Sequence, residues 1–266
     1  MPELADVEGF RRVLVQHAVG REIRHVHSPI PEILRNTSPQ GLGRALDGHR
    51  FEEPRRHGKW LIAPVEGRLL VLHFGMTSEL AWTDDAEDRD SHDAVLFETE
   101  RGTLRYRTQR KFGGVWLARD DPAALEEITG ALGPDAASIE VEAFVARLSG
   151  RRGQIKSALM DQSLIAGLGN ELSDEILWRA GIAPDAAVGS LEEKDLVHLH
   201  ERMREVLEGS IPHGRIPEQE GWLEAHRHDP EARCPRCGHA LERREVSGRT
   251  GLCCPSCQKR SDPSAA

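Results

Sequence analysis

The sequence lacks two features that would take the chain into or across a membrane. No apolar run approaches membrane-spanning length, and the first twenty residues lack the basic-then-apolar order of a secretion signal. Internal repeats and low-complexity tracts are also absent. A length of 266 residues, with 38% hydrophobic and 30% charged residues, is typical of a globular protein with two domains and an appendage. We therefore expect a cytoplasmic protein whose cysteines stay reduced.

An excess of positive charge is also missing. The formal net charge is −9, which argues against a protein that coats nucleic acid through charge alone. Residues 231–262 nevertheless hold seven basic and four acidic side chains, a local net charge of +3. Charge therefore leaves the partner open.

Hydrophobic spacing predicts a helix at the start of the chain and short strands after it. Val7, Phe10, Leu14 and Ala18 recur at helical spacing, and Gly20 is a plausible stop. From 21 to 119, short apolar runs alternate with glycine and charged clusters, which indicates a β-rich domain. Residues 120–135 contain two prolines and are expected to be a linker.

The second half of the sequence is predicted to be helical. Ile139, Phe144 and Leu148 mark one short helix, and another begins at about Glu171. Ser190 with Glu193 has the spacing of a capping box, which predicts the start of a long helix there. Residues 209–221 are rich in proline and glycine and are expected to form a loop.

Four of the five cysteines form two C-x-x-C pairs, with sixteen residues between the pairs. Each pair can deliver two thiolates from one tight turn, and tetrahedral Zn²⁺ takes four such ligands. The intervening residues suffice for a β-hairpin. A redox motif would need only one pair, and disulfides do not suit the cytoplasm. We therefore predict one structural zinc ion and leave Cys253 out of its ligands, which are Cys234, Cys237, Cys254 and Cys257.

A glycine-rich turn precedes the helix predicted from Glu171. Gly167 and Gly169 permit close backbone approach, and Asn170 lies where the helix begins. The amides of such a terminus can bind phosphate, with Lys156 as a nearby cation. An ordinary corner between two helices, capped by Asn170, explains the same residues.

Three segments occur together in a distinctive order. They are Pro2–Glu8 at the start, the turn from Leu159 to Glu175, and the terminal four-cysteine segment. In this combination the whole chain resembles the formamidopyrimidine-DNA glycosylase and endonuclease VIII family. The resemblance implies an α+β, multidomain fold. A catalytic β-sandwich domain would span residues 1–120, a helix–two-turn–helix DNA-binding domain 135–225, and a zinc finger with a β-hairpin 230–266.

The resemblance also implies catalytic residues. Pro2, exposed by loss of Met1, matches the amino-terminal proline whose amine attacks C1′ of a damaged nucleotide. An α-amine has a pKa near 8, about two units below that of lysine, so more of it is the free nucleophile at neutral pH. Glu3 matches the acid that exchanges a proton with the sugar. Lys59 matches a lysine that contacts phosphate and assists elimination.

Further matches concern DNA binding. His73 matches a phosphate contact, while Met76, Arg110 and Phe112 match the three side chains that fill the void left by an extruded nucleotide. Extrusion costs a few kcal/mol of unstacking, so such a plug has a physical purpose. Packing in a core is the usual explanation of a single apolar position, and it is the alternative for Met76 and Phe112. The resemblance also implies phosphate contacts for Lys156, Asn170 and Arg249, the last at the tip of the hairpin.

The chain departs from the family pattern at four places. Ala5-Asp6 replaces Pro-Glu, Thr108-Gln109 replaces Asp-Pro, and Thr77-Ser78 replaces a segment with a second glycine. The loop at 209–227 has no counterpart of the long segment that covers 8-oxoguanine in purine-specific members. The void-filling residues favour the purine-type branch, whereas the short loop favours an endonuclease VIII-like or otherwise divergent specificity.

The resemblance predicts a bifunctional DNA glycosylase and abasic-site lyase. Its partner would be damaged double-stranded DNA, and it would act as a bacterial monomer at the nucleoid. A lyase-only or non-catalytic binder of abasic DNA is the alternative, motivated by Ala5-Asp6. A zinc-ribbon adaptor without a DNA role is a third reading, favoured only by the acidic net charge.

Overall fold

A computed structural model describes residues 1–84 and 90–259. The chain divides into two compact units. The first contains Met1–Pro2 and Asp6–Ala131, and the second contains Glu3–Ala5 and the chain from Leu132 onward. Within the described residues, no helix is both long and apolar enough to cross a membrane.

The first unit is built on two four-stranded antiparallel sheets, which confirms the predicted β-sandwich. One sheet has the order β1-β6-β7-β5 and the other the order β2-β3-β4-β8. Aliphatic and aromatic side chains from both sheets, such as Leu72 and Phe97, share one core. The strands are β1 (Ile23–His27), β2 (Arg55–His57), β3 (Trp60–Val65), β4 (Arg68–His73), β5 (Ser78–Thr83), β6 (Asp93–Thr99), β7 (Thr103–Thr108) and β8 (Gly114–Arg119).

Three α-helices accompany these sheets in the described part of the first unit. The predicted amino-terminal helix is present as α1 (Leu4–His17), but the strand-rich region also contains α2 (Pro39–Leu46). The expected linker is wrong in part, because α3 (Pro122–Thr129) lies within it. Ile128 of α3 packs with its neighbours on a small apolar cluster of the second sheet. Both unpredicted helices start with a Ser or Asp cap followed by proline, a local signal for a helix start.

The second unit has a helical core, as predicted. Its helices are α4 (Val141–Leu148), α5 (Ile155–Met160), α6 (Asn170–Ala180) and α7 (Glu193–Ser210). The predicted capping box is displaced by two residues, because Glu192 and Asp195 form it rather than Ser190 and Glu193. The hydroxyl of Ser190 instead donates to the carbonyl of Ala187. Trp222 and Leu223, which follow the proline- and glycine-rich segment, are buried.

The predicted hairpin is present after the helices. Strands β9 (Glu242–Val246) and β10 (Arg249–Cys253) pair antiparallel, with Arg249 opposite Val246. Ser247 and Gly248 make the two-residue turn with φ values of +50° and +72°, the left-handed conformation that such turns require. Cys253 lies buried in β10, outside the cysteine cluster.

Candidate active site and nucleic-acid interface

Two large apolar side chains of the first unit lie on the surface. Met76 is 43% exposed and Phe112 is 59% exposed, more than any other large apolar side chain in the described residues. The guanidinium carbon of Arg110 lies 5.3 Å from the centre of the Phe112 ring, within the range of a cation–π contact. Neither apolar residue belongs to the core, so packing does not explain them.

Close backbone contact joins the two loops that carry these side chains. Gly75 has a φ of +56°, and a Cβ on it would lie 2.4 Å from the amide nitrogen of Gly113. A Cβ on Gly113 would lie 2.5 Å from the carbonyl oxygen of His73. Tyr106 donates a 2.8 Å hydrogen bond to that same oxygen. Glycine is therefore required at both positions for the loops to approach.

Hydroxyl groups at the positions that depart from the family pattern tie the same loops together. The Arg110 amide donates to Oγ1 of Thr77 over 3.2 Å. Oγ1 of Thr108 accepts from the Ser78 hydroxyl at 2.8 Å and from the Lys111 amide at 3.1 Å. The hydroxyls of Thr77, Ser78 and Thr108 therefore connect the turn before β5 to the loop after β7.

His73 ends β4 beside Lys59 and is held neutral. Burial and the neighbouring Lys59 charge lower the pKa of His73 to about 4. Its Nδ1 accepts a 3.2 Å hydrogen bond from the Gly75 amide, which places the ring proton on Nε2. His73 is thus a neutral hydrogen-bond donor at physiological pH. Lys59 is 9% exposed.

In the second unit, the carboxylate of Glu3 occupies the amino terminus of α6. Its Oε2 accepts from the amides of Gly169 at 2.7 Å and Leu172 at 3.2 Å, and its Oε1 accepts from Glu171 at 2.9 Å. Glu3 is completely buried. The amides that the sequence left open for a phosphate are therefore bonded to a carboxylate of the chain itself, whose charge the helix dipole stabilises. Pro2 is the residue immediately before it.

Asn170 is the first residue of α6 rather than its cap, which is Gly169. The Asn170 side chain donates a 3.0 Å hydrogen bond from Nδ2 to the carbonyl oxygen of Thr250 in β10. This contact connects the start of α6 to the hairpin. The capping role considered for Asn170 from the sequence is therefore wrong.

Lys156 does not lie on the surface. Its side chain is fully buried, and Nζ lies 2.6 Å from Oδ1 of Asp174. Oδ2 of Asp174 accepts from Arg227 at 3.2 Å and from the Leu252 amide at 2.9 Å. Burial raises the pKa of Asp174, and the charges of Lys156 and Arg227 oppose that rise. The expectation that Lys156 contacts phosphate is corrected, because the ammonium group has no exposed surface and compensates a buried carboxylate.

The hairpin tip carries Arg249 in the position expected from the resemblance. Arg249 is exposed at the start of β10. The adjoining turn is fixed to α5, because the hydroxyls of Ser157 and Ser247 lie 2.6 Å apart. Together with the Asn170 and Asp174 contacts, this bond holds the hairpin along α5 and α6.

The four predicted cysteines form one cluster. Their sulfur atoms all lie within 4.8 Å of one another, which suits a single metal ion. The Sγ atoms of Cys234 and Cys257 are 3.8 Å apart, and those of Cys237 and Cys254 are 3.5 Å apart. The prediction of a four-cysteine metal site from spacing is confirmed at the level of the cluster.

The sequence reasoning assigned no role to several residues of these networks. Asp174 and Glu175 stood in the motif, but the pairing of Asp174 with Lys156 brings together residues eighteen positions apart. Arg227 had no local signal, since its partner depends on the course of the chain after α7. Nε1 of Trp178 lies 3.4 Å from Sγ of Cys234, and no spacing in the sequence marks this contact.

Comparison with known proteins agrees with this architecture. Residues 1–115 match the model of the formamidopyrimidine-DNA glycosylase N-terminal domain. Residues 131–219 match the model of the formamidopyrimidine-DNA glycosylase H2TH domain. Together these matches cover more than half of the chain.

Individual relatives align over nearly the full length. The formamidopyrimidine-DNA glycosylase of Geobacter metallireducens is 35% identical over 268 residues, covering 97% of this chain and all of the relative. That of Desulfitobacterium hafniense is 31% identical over 276 residues, with the same coverage. A crystal structure of Lactococcus lactis formamidopyrimidine-DNA glycosylase bound to DNA with an AP site superposes with a TM-score of 0.88 at 29% identity, covering 97% of this chain and all of that one.

The β-sandwich, the helix–two-turn–helix unit and the four-cysteine hairpin define a DNA glycosylase that acts in base excision repair. The chain belongs to the formamidopyrimidine-DNA glycosylase family. It is a bifunctional enzyme of that family, a DNA glycosylase with abasic-site lyase activity, and its partner is damaged DNA.

Proposed function

We propose that the enzyme excises oxidised or ring-opened purines through the amine of Pro2, freed by removal of Met1. The observation that carries the proposal is the anchoring of Glu3. Three backbone amides hold its buried carboxylate, so the residue that follows the attacking amine has a fixed position. A frayed amino terminus would have no such anchor.

The proposed chemistry follows from a secondary amine beside a carboxyl group. The nitrogen of Pro2 attacks C1′ of the damaged nucleotide, and the bond from C1′ to the base breaks with the base leaving as a protonated species. The proton that Pro2 gives up on attack goes to the departing base. Glu3 then takes up a proton from water and passes it to O4′ as the C1′–O4′ bond breaks, which leaves an iminium between Pro2 and C1′. Removal of a C2′ proton then expels the 3′ phosphate by β-elimination. Lys59 is proposed to assist this elimination and to contact a phosphate.

The same proposal assigns the exposed groups of the first unit to DNA. Met76, Arg110 and Phe112 would fill the void left by the extruded nucleotide, an assignment supported by the exposure of both apolar side chains. His73, as a neutral donor, would bond a phosphate oxygen through Nε2. In the second unit, Arg249 would bind phosphates flanking the lesion, and Asn170 would contribute another phosphate contact.

The cysteine cluster is proposed to bind one structural zinc ion. A tetrahedral zinc with bonds of about 2.3 Å separates its sulfur ligands by about 3.8 Å. The sulfur distances of 3.8 Å and 3.5 Å agree with this value. Bound zinc would draw the four cysteines of the finger together and so hold the hairpin that carries Arg249. Thiolate ligands and a chromosomal substrate favour the bacterial cytoplasm, at the nucleoid, as the place of action.

Purine specificity is supported by the named activity of the relatives. Another Lactococcus lactis structure, at 28% identity and a TM-score of 0.87 with 97% and 100% coverage, contains N7-benzyl-Fapy-dG DNA. A panel of duplexes, each with one lesion, tests the assignment. We expect excision of formamidopyrimidine and oxidised guanine, and preferential excision of oxidised pyrimidines would contradict it.

Borohydride trapping tests the reaction itself. Borohydride reduces an iminium to a stable amine, so it links the enzyme covalently to its substrate. We expect a covalent complex with duplexes that contain a damaged base as well as with abasic duplexes. Trapping only with abasic duplexes would indicate a lyase without glycosylase activity, and trapping with neither would reject the covalent mechanism.

A further inference from the structure

The indole of Trp178 donates a hydrogen bond to one sulfur of the cysteine cluster. Trp178 lies in the last turn of α6, and its Nε1 is 3.4 Å from Sγ of Cys234. Both residues are buried, with 4% and 3% of their surface exposed. An indole has one polar hydrogen and no acceptor, so its capacity for conventional hydrogen bonds is directed at the sulfur.

A cation lies over the face of the same ring. The guanidinium carbon of Arg236 is 4.5 Å from the centre of the Trp178 ring. Arg236 also donates a 3.3 Å hydrogen bond to the carbonyl oxygen of Trp178 at the end of α6. A positive charge over the ring polarises the indole and strengthens its N–H as a donor. Because Arg236 stands between Cys234 and Cys237, the first cysteine turn is connected to α6 by two kinds of contact.

We propose that Trp178 is a positioning residue for the metal, holding the Cys234 thiolate from the second coordination sphere. The inference rests on the proposal that the cysteines bind zinc. Four thiolates around Zn²⁺ leave a net charge of −2, and an N–H directed at one sulfur offsets part of that charge. It also fixes the orientation of the ligand. Zinc should therefore leave the protein more slowly with the indole than without it.

The position of Trp178 on α6 gives this bond a wider consequence. The first turn of the same helix holds the Glu3 carboxylate, and Asp174 in its middle accepts the Leu252 amide of β10. Helix α6 thus contacts the cysteine cluster at its end, the Glu3 carboxylate at its start and the hairpin at its middle. Weakening the zinc ligand would loosen the end of that helix first.

Zinc release into excess chelator tests the proposal in the full-length protein. Trp178→Phe keeps an aromatic ring and removes the donor. Trp222→Phe is the matched control, because Trp222 is also buried in the second unit and lies under Arg179 at 4.3 Å, but packs on Gly209 of α7. We expect Trp178→Phe to release zinc about 10-fold faster than the unmodified protein, as for other second-sphere losses, and Trp222→Phe to match the unmodified protein.

Replacement of zinc by Co²⁺ gives a thiolate-to-cobalt absorption band, and a change in packing alone would not shift that band. Without the N–H donor the sulfur lone pairs rise in energy, so the thiolate-to-cobalt charge-transfer band should shift to longer wavelength in Trp178→Phe. Trp222→Phe should leave the band in place. An unchanged band with an unchanged release rate in Trp178→Phe would overturn the proposal, as would equal acceleration in both variants.

The zinc content of the unmodified protein separates the role of Trp178 from the proposal that the four cysteines bind zinc. If the unmodified protein binds no zinc, both proposals are refuted. If it binds zinc and Trp178→Phe changes neither the release rate nor the cobalt band, only the role of Trp178 is refuted. If Trp178→Phe does not fold, Arg236→Gln at an exposed side chain provides the test. Faster zinc release in Arg236→Gln supports the proposal, and an unchanged rate contradicts it.

Discussion

Two regions of the molecule, one in each unit, depart from the usual distribution of polarity in opposite directions. In the first unit, Met76 and Phe112 expose large apolar surfaces. In the second, Lys156, Asp174 and Glu175 bury charged groups that normally face water. The first unit holds its exposed groups by tight backbone packing at two glycines. The second holds its buried groups by ion pairs and hydrogen bonds to backbone amides.

The difference indicates two kinds of function. An apolar side chain that contributes nothing to a core is available to act outside the protein, and stability should not depend on it. A buried charge costs free energy unless it is paired, so its partners fix the backbone around it. Substitutions at the exposed apolar side chains should therefore lower activity, whereas substitutions in the buried ionic network should lower stability.

Glu3→Gln should have the largest effect. The variant removes the charge that the α6 amides stabilise and places an NH₂ group against N–H donors. Excision in a single turnover should fall about 1,000-fold, the scale of general acid–base catalysis. Glu22→Gln, before β1, is the control and should retain near-normal excision, since the half-exposed Glu22 carboxylate pairs with the exposed Arg50 side chain. Equal losses in both variants would contradict the role of Glu3.

Lys156→Met, which lies outside the catalytic residues, should lower the stability of the second unit. It leaves Asp174 buried with Arg227 as its remaining cation, so we expect a loss of about 3 kcal/mol in the free energy of unfolding. Chemical denaturation measures the loss. Lys194→Met removes an exposed lysine that pairs with Glu192 and should leave the free energy of unfolding near that of the unmodified protein. A Lys156 variant as stable as the Lys194 variant would argue against the buried network.

Phe112→Ala should show the reverse behaviour. Its stability should stay within about 0.5 kcal/mol of the unmodified protein, because the ring packs in no core. Excision from duplex DNA should fall about 10-fold, since the wedge offsets part of the cost of extruding a nucleotide. Phe97→Ala, in the core of the same unit, should instead cost about 3–5 kcal/mol of stability. Unimpaired excision by Phe112→Ala would show that the Phe112 ring does not help to extrude the nucleotide.

Thr77→Val should have the smallest effect. It keeps the shape of the side chain and removes the oxygen that accepts from the Arg110 amide, a bond worth about 1 kcal/mol. Excision should fall about fivefold, with little change in the melting temperature. Thr77→Ser retains the hydroxyl and should restore most of the rate. A serine variant no better than valine would show that the hydroxyl does not hold the loop.

Local patterns in the sequence accounted for much of this molecule. The cysteine cluster follows from C-x-x-C spacing, and α1 and α6 follow from apolar periodicity and a glycine turn. The helices α2 and α3 carried a local Ser-Pro or Asp-Pro signal that composition obscured. The capping box shifted by two residues because several neighbouring acidic side chains satisfy the same spacing.

Long-range pairing limited the remaining predictions. Lys156 has the sequence environment of a surface lysine, and only the approach of Asp174 shows that it is buried. The terminus of α6 looked open to phosphate because Glu3, 166 positions before Gly169, was not known to reach it. Thr77 and Thr108 look like unrelated departures from the family pattern in the sequence, whereas in the fold their hydroxyls bond between the same two loops. Such partners depend on tertiary structure, which spacing does not encode.

The position of the covalent bond in a trapped complex tests the central claim most directly. The enzyme is reduced with borohydride on a duplex containing one formamidopyrimidine, digested, and examined by peptide mass spectrometry. The account predicts the nucleotide remnant on the amino-terminal peptide, with Met1 absent and the added mass on Pro2. A remnant on a peptide that contains Lys59, or on any other lysine, would contradict it.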